Sequence, residues 1–150
     1  MDDSFDIDFL AEGAALCVAY NLRKATRAVS QLYDRALKPS NLRVTQFSLL
    51  VELAVAGLIT VSELASKMVM DRTTLARNLK PLEKRGLVAT VPGQDRRTRV
   101  ASLTKQGVEV LMEAFPLWVG AQAEVLGELD EEEWQNLRLA LSKVAAAGRD

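Results

Sequence analysis

One uninterrupted stretch, TVSELASKMVMDRTTLARNLKPLEKRGLVATVPGQDRRTRVASLT over residues 60–104, constrains this chain more than any other. Thr60 and Glu63 have capping-box spacing and open a short helix with Leu64, Ala65 and Met68 turned inward. Val69 and Met70 form a short link to Asp71, an N-cap for a second helix from Arg72 to about Arg85. At 100° per residue, Leu75, Leu79 and Leu82 share one sector, and Thr73, Arg77, Lys80 and Lys84 the opposite one. Glu83 falls on the inner flank. Pro81 deprives the Arg77 carbonyl of its donor, so a bend is expected. Gly86 ends the helix. Leu87 to Val91 and Thr98 to Leu103 then read as strands, joined by a turn over Pro92–Arg97.

The flanks are helical. A first helix is expected from about Phe9 to Lys38, where Pro39 forbids continuation. Ala15, Val18, Leu22, Ala25, Val29, Leu32 and Ala36 form a heptad seam along it. Such a rod is roughly 40 Å long. Part of its seam is therefore expected to meet another subunit, the alternative being cover by the chain's own C-terminal helices. A second helix is expected from Thr45 to Ala56, with Phe47, Leu50, Val51 and Ala54 buried and Gly57 as its stop. Beyond the hairpin, Thr104 can cap a fifth helix carrying Val108, Leu111, Met112, Phe115 and Val119, which Pro116 and Gly120 should kink or loosen. Asp130 and Glu133 open a last helix with Trp134, Leu137, Leu141 and Val144 on one face. With 150 residues, 49% of them apolar, a single domain is expected over 1–150.

Several classes are disfavoured. The chain has no histidine, which removes the commonest general base and metal ligand, and no phosphate-cradling glycine loop. It is not expected to be an enzyme or to need a cofactor or metal. The apolar stretches are far short of the ~18 residues needed to cross a membrane, so none is expected as a partner. The acidic start, MDDSFDIDFL, resembles neither a secretory signal nor a transit peptide. Cys17 is the single cysteine, which fits a reducing cytoplasm.

The net charge of −1 hides a segregation. Residues 1–19 carry −5, residues 20–59 +4, residues 60–105 +6 and residues 106–150 −6. A basic middle between acidic ends is a footprint for a polyanion. Two helices followed by a hairpin with a basic tip make a winged helix-turn-helix, which sets one helix for a DNA major groove and a loop for the adjacent minor groove. The fold class expected is mainly α, with long N- and C-terminal helices and a two-stranded wing. On the recognition helix Arg77 can pair with guanine, Thr73 can touch a base edge, and Lys80 and Lys84 suit phosphates. Arg72, Thr74 and Asn78 are further candidates. In the wing Arg96, Arg97 and Arg99 can meet the negative potential of a narrow minor groove, and Asp95 can hold an arginine two positions on.

The helix MDRTTLARNLKPLEKRGLV and the wing DRRTRVASLT, preceded by LRKATRAVSQLYDRALKPSNLRVTQFSLL, resemble the MarR family of transcriptional regulators over roughly residues 14–145. The resemblance implies a homodimer that binds a pseudo-palindromic double-stranded operator through two winged lobes. Residues 1–40 and 104–150 would supply the dimerisation helices and residues 41–103 the lobe. The helix from Arg72 would be the recognition helix, with Asp95 orienting Arg97 at the wing tip and Phe47 supporting the lobe. Val69 departs from the pattern, since many members have glycine in that turn, and the wing is short.

The resemblance also implies release of DNA by a small molecule, commonly an amphipathic aromatic acid or phenol. Tyr20, Arg23, Lys24 and Arg27 could receive such an anion; surface ion pairing and DNA-facing charge are the alternative roles. Oxidation of Cys17 is another possible switch, although its apolar neighbours in AALCVAY favour an inert thiol. A third reading keeps the winged fold as a protein-interaction module with no DNA target.

Overall fold

The computed structural model describes residues 7–148, so the acidic residues before Ile7 and the last two positions lie outside the described residues. The chain is mainly helical with a small antiparallel sheet. Its elements are α1 (Ile7–Leu16), α2 (Val18–Leu37), α3 (Val44–Ala56), β1 (Ile59–Thr60), α4 (Val61–Lys67), α5 (Arg72–Lys84), β2 (Val88–Pro92), β3 (Arg99–Leu103), α6 (Lys105–Leu126) and α7 (Glu131–Ala147). A 3-10 turn over Lys38–Ser40 places Pro39 just past α2, where its missing N–H does no harm.

The expected single N-terminal helix is two. Cys17 is extended (φ −67°, ψ 117°) and separates α1 from α2. The Asn21 amide donates to the carbonyls of Ala15 (2.8 Å) and Cys17 (2.9 Å), satisfying acceptors near the break. Conversely, α6 runs unbroken for 22 residues through both Pro116 and Gly120. A proline costs a helix one hydrogen bond, and packing of α6 against α2 and α3 supports the turn that loses it.

Local chemistry sets most boundaries. Thr60 accepts from the Glu63 N–H at 3.1 Å while Glu63 accepts from the Thr60 N–H, closing the expected capping box. Asp130 and Glu133 close another. Thr104 caps α6 through the Gly107 N–H (3.0 Å) and donates to the Gly86 carbonyl (2.5 Å), tying the start of α6 to the turn that follows α5.

The sheet has three strands, in the order β1-β3-β2, one more than expected. Ile59 and Thr60 pair with Ala101 and Val100, and Thr90 with Ala101 on the other side. A two-residue strand is too short to show alternation, and only its pairing with β3 defines it.

The core is centred on α3, α4 and α5 and is completed by Leu37 of α2 and by Leu111 and Ala114 of α6. Leu49, Leu50 and Leu53 of α3, Leu64 of α4, Leu75, Leu79 and Leu82 of α5, and Leu87 are almost fully buried together with Leu37, Leu42, Phe47 and Ala101. Burying one such leucine contributes about 2 kcal/mol. The long helices differ. Along α2 only Tyr33 and Leu37 are buried, and α7 buries nothing. Val18, Ala25 and Val29 of the heptad seam are exposed, as are Val108, Met112 and Val119 on α6 and Leu141 and Val144 on α7. The C-terminal helices therefore leave part of the seam uncovered within the single chain.

Two backbone positions lead to predictions. Val69 stands in the left-handed region (φ 53°), which crowds a β-branched side chain. The strain is of order 1–2 kcal/mol. Val69 is 53% exposed, so its side chain contributes little packing. Val69→Gly is expected to stabilise the fold by about 1 kcal/mol after the added chain flexibility is counted, raising Tm by roughly 2–4 °C in thermal unfolding. At Gly107, an added Cβ would sit 2.0 Å from the Leu87 carbonyl oxygen, a backbone atom held by the Thr104 N–H. Gly107→Ala is expected to destabilise by about 1–3 kcal/mol, read as a lower urea midpoint with an unchanged slope.

Candidate nucleic-acid interface

The candidate recognition element is α5. Its inner side chains Leu75, Leu79 and Leu82 are buried, which turns the opposite face outward. Arg72, Thr73, Arg77, Lys80 and Lys84 are exposed there. None of these four cations has an ion pair among the described residues, whose salt bridges are Arg43–Asp34 and Lys67–Glu52. A face of unpaired cations with no acid among them keeps its full charge for an external anion.

The start of α5 is fixed by Asp71. One carboxylate oxygen accepts from the Thr74 N–H (2.8 Å), the other from the Thr74 hydroxyl (2.6 Å). The Thr74 hydroxyl, followed by its N–H, holds the Asp71 carboxyl below its ordinary pKa. Thr74 is therefore occupied inside the helix start. Asn78, half-buried, donates to the Met70 sulfur at 3.6 Å, within the link between α4 and α5. Both residues, candidates for DNA contact on sequence grounds, are engaged with the protein in this structure. Pro81 sits within the helix without ending it, and Arg85 caps the far end. The Arg85 guanidinium donates to the carbonyls of Asn41 (2.7 Å) and Ser40 (3.4 Å), anchoring that end of α5 to the turn after α2.

The wing joins β2 to β3. Gly93 donates to the Thr98 carbonyl (2.7 Å), and Thr98 donates to the Asp95 carbonyl (2.8 Å). The Asp95 carboxylate accepts the backbone N–H of Arg97 at 3.0 Å. Asp95 thus organises the turn backbone that carries Arg97, where the sequence had suggested a grip on the side chain. Arg96 and Arg97 are exposed, and neither guanidinium has a partner among the described residues. Arg99 differs from its two neighbours: its guanidinium donates to the Thr90 hydroxyl at 2.7 Å, and that hydroxyl donates to the Glu83 carboxylate. Sequence reasoning missed this link; the one available signal was Glu83 on the inner flank of α5.

Further cavities lie outside this face. Tyr20, Arg23, Lys24 and Arg27, grouped from sequence as effector candidates, line one cavity of about 450 Å³ with Ala19 and Cys17. Cys17 is exposed at the helix break. A smaller cavity of about 240 Å³, unforeseen, is lined by Phe47, Val51, Met68, Phe115 and Trp118 between α3 and α6. Trp118 stacks on both Phe47 and Phe115, with centroids 5.8 and 5.6 Å apart.

The family model for MarR matches residues 42–98. An HTH-type transcriptional regulator of Bacillus cereus is 33% identical, over 82% of this chain and 83% of its own. Among solved structures, the Mycobacterium tuberculosis transcriptional regulator MosR in complex with DNA is 40% identical, covers 87% of this chain and 95% of its own, and superposes with a TM-score of 0.81. A mutant of Escherichia coli MarR complexed with operator DNA shares the fold at 24% identity, over 87% of this chain and 94% of its own, with a TM-score of 0.79.

The Asp71 and Glu63 carboxyls are both held below their ordinary values, each chiefly by a side-chain hydrogen bond from the threonine of its cap. A depressed folded-state pKa adds stability that is complete above the unfolded value of about 4 and is lost as pH falls through the folded value. Asp71→Ala is expected to lower Tm by roughly 2–4 °C at pH 7, and the difference from the parent should shrink in thermal melts as pH falls below the ordinary carboxyl value of about 4.

Proposed function

This chain belongs to the MarR family of DNA-binding transcriptional regulators, and on that premise we propose that it is a cytoplasmic homodimeric repressor that occupies a pseudo-palindromic operator. The observation that carries this reading is the unpaired cationic surface of α5 beside a wing whose tip presents two unpaired arginines. Arg72, Thr73 and Arg77 are placed to meet base edges and phosphates in the major groove, Lys80 and Lys84 to meet phosphates. Arg97, with Arg96 beside it, enters the minor groove. Thr74, Asn78 and Asp95 hold the contacting segments in shape.

Dimerisation is supported by the uncovered apolar groove of about 350 Å³ between α2, α6 and α7, lined by Leu22, Val29, Val125, Trp134, Leu137 and Leu141. Residues 1–40 and 104–150 serve as the pairing apparatus and 41–103 as the reading lobe. Two lobes so joined would place their recognition helices about 34 Å apart, one turn of DNA.

Release of DNA is assigned to a small amphipathic aromatic acid held by Tyr20, Arg23, Lys24 and Arg27. Three cations and a phenol around one cavity suit a carboxylate on an aromatic body. A second reading, a thiol switch at Cys17, is favoured by the exposure of that residue on the wall of the same cavity. Cys17→Ser separates them, since it removes a response to peroxide and spares one to an aromatic acid.

Selection from a random duplex library, followed by salt titration, tests the central reading. Recovery of a pseudo-palindrome with half-sites about 10 base pairs apart and a steep salt slope is the expected result. Weak, sequence-independent retention would instead return the interaction-module reading. On the selected site, Arg77→Ala is expected to cost about 1–3 kcal/mol and to relax preference at one position per half-site. Arg97→Ala should weaken binding most where the wing meets A·T pairs. Parental affinity in both variants, measured by fluorescence anisotropy, would rule out this docking.

A further inference from the structure

A cleft of about 320 Å³ separates the recognition helix from the wing. Val61, Ala76 and Leu79 form its apolar floor; Lys80 and Glu83 of α5 face Thr90 and Arg99 of the hairpin across it. The strand register explains why these two hairpin residues meet. Thr90 pairs with Ala101 and Pro92 with Arg99, so Thr90 and Arg99 are diagonal neighbours on one face of the two-stranded ribbon. That face is turned toward α5.

One hydroxyl bridges the cleft. Thr90 Oγ1 donates to a carboxylate oxygen of Glu83 and accepts from Arg99 Nη2 at 2.7 Å, and the same guanidinium nitrogen lies 3.4 Å from the Thr90 carbonyl. Both outer members are charged, so both bonds are of the stronger, charge-assisted kind. Glu83 is also the one acid on the wing side of α5, and it is half-buried. The hairpin is anchored on its β3 side, where Ala101 is buried and β1 pairs with the strand, but on its β2 side it has little besides this bridge. Val91 is exposed and β2 buries only Val88 at its far end.

We propose that Thr90 is a positioning residue for DNA recognition: through Glu83 and Arg99 it clamps the wing to the recognition helix and sets the separation between major-groove and minor-groove contacts within one half-site. Arg99 acts through this clamp, whereas Arg96 and Arg97 act on DNA. The inference rests on the DNA-binding reading for its consequence and on the free protein for its geometry. A threonine is suited to the task because its hydroxyl donates and accepts at once, and its β-branched carbon fits the strand. Valine keeps the shape and removes both bonds.

The test pairs two measurements on the full chain, with Thr90→Val, Thr90→Ser and Glu83→Ala. In hydrogen–deuterium exchange without DNA, the β3 amides of Thr90→Val and Glu83→Ala should exchange roughly five- to tenfold faster than the parent's, as loss of one to two hydrogen bonds dictates. Thr90→Ser should restore parental protection. On the selected operator, Thr90→Val should lose affinity by a similar factor, with preference relaxed at wing-contacted pairs and retained at those read by Arg77. Parental exchange in Thr90→Val, or loss of preference spread evenly across the site, would overturn the clamp. Faster exchange with no selective DNA binding by the parent would support the clamp and sink the DNA-binding reading instead.

Discussion

The seating of α5 on the leucine core is the contact on which the rest depends. Leu75, Leu79 and Leu82 are buried among leucines of α3 and α4, and that burial alone decides which face of the helix looks outward. Hydrophobic burial has no direction of its own, yet on a helix of fixed periodicity it becomes directional. The cationic face is exposed because the apolar face is not. Three polar fixtures then remove the remaining freedom of the rod. Asp71 caps its start, Arg85 ties its end to Asn41 and Ser40, and Glu83 reaches the wing through Thr90.

The charge distribution follows the same division of labour. The basic stretch over residues 60–105 becomes chiefly the outward face of α5 and the tip of the wing, and its four acids are occupied. Asp71 and Asp95 hold backbone N–H groups, and Glu63 and Glu83 hold threonine hydroxyls. An acid used in this way does not cancel a neighbouring cation, so the surface stays attractive to a polyanion while its scaffold uses carboxylates freely. The helices outside the lobe show the opposite economy. They leave Val29, Met112, Leu141 and Val144 open to solvent in the single chain.

Much of this was legible in the chain itself. The caps at Thr60, Asp71, Thr104 and Asp130, the inner and outer faces of α5, and the two wing strands all stand where the pattern of residues placed them, to within a residue or two. Even Val69, which looked anomalous, occupies the left-handed position where a glycine was expected. What the local pattern missed is the break in the N-terminal helix. Cys17, with no breaker chemistry, interrupts that helix, while α6 continues through Pro116 and Gly120. Breaking and continuing are settled by neighbours: α2 and α3 support α6, and Asn21 supplies the donors that make the break at Cys17 tolerable.

The sequence by itself determined the periodicities, the caps and the sign of each face, because those act between residues three or four apart and need no partner from elsewhere. Only the tertiary structure decided that Ile59 and Thr60 form a strand against Ala101 and Val100, that Tyr33 reaches Gln122, that Trp118 stacks between Phe47 and Phe115, and that Thr90 bridges Glu83 and Arg99. Each of these joins side chains or strands that do not share a helical turn, and it exists only at one register and one helix orientation. Burial chooses that orientation from the whole core at once, so no local window of the chain contains it.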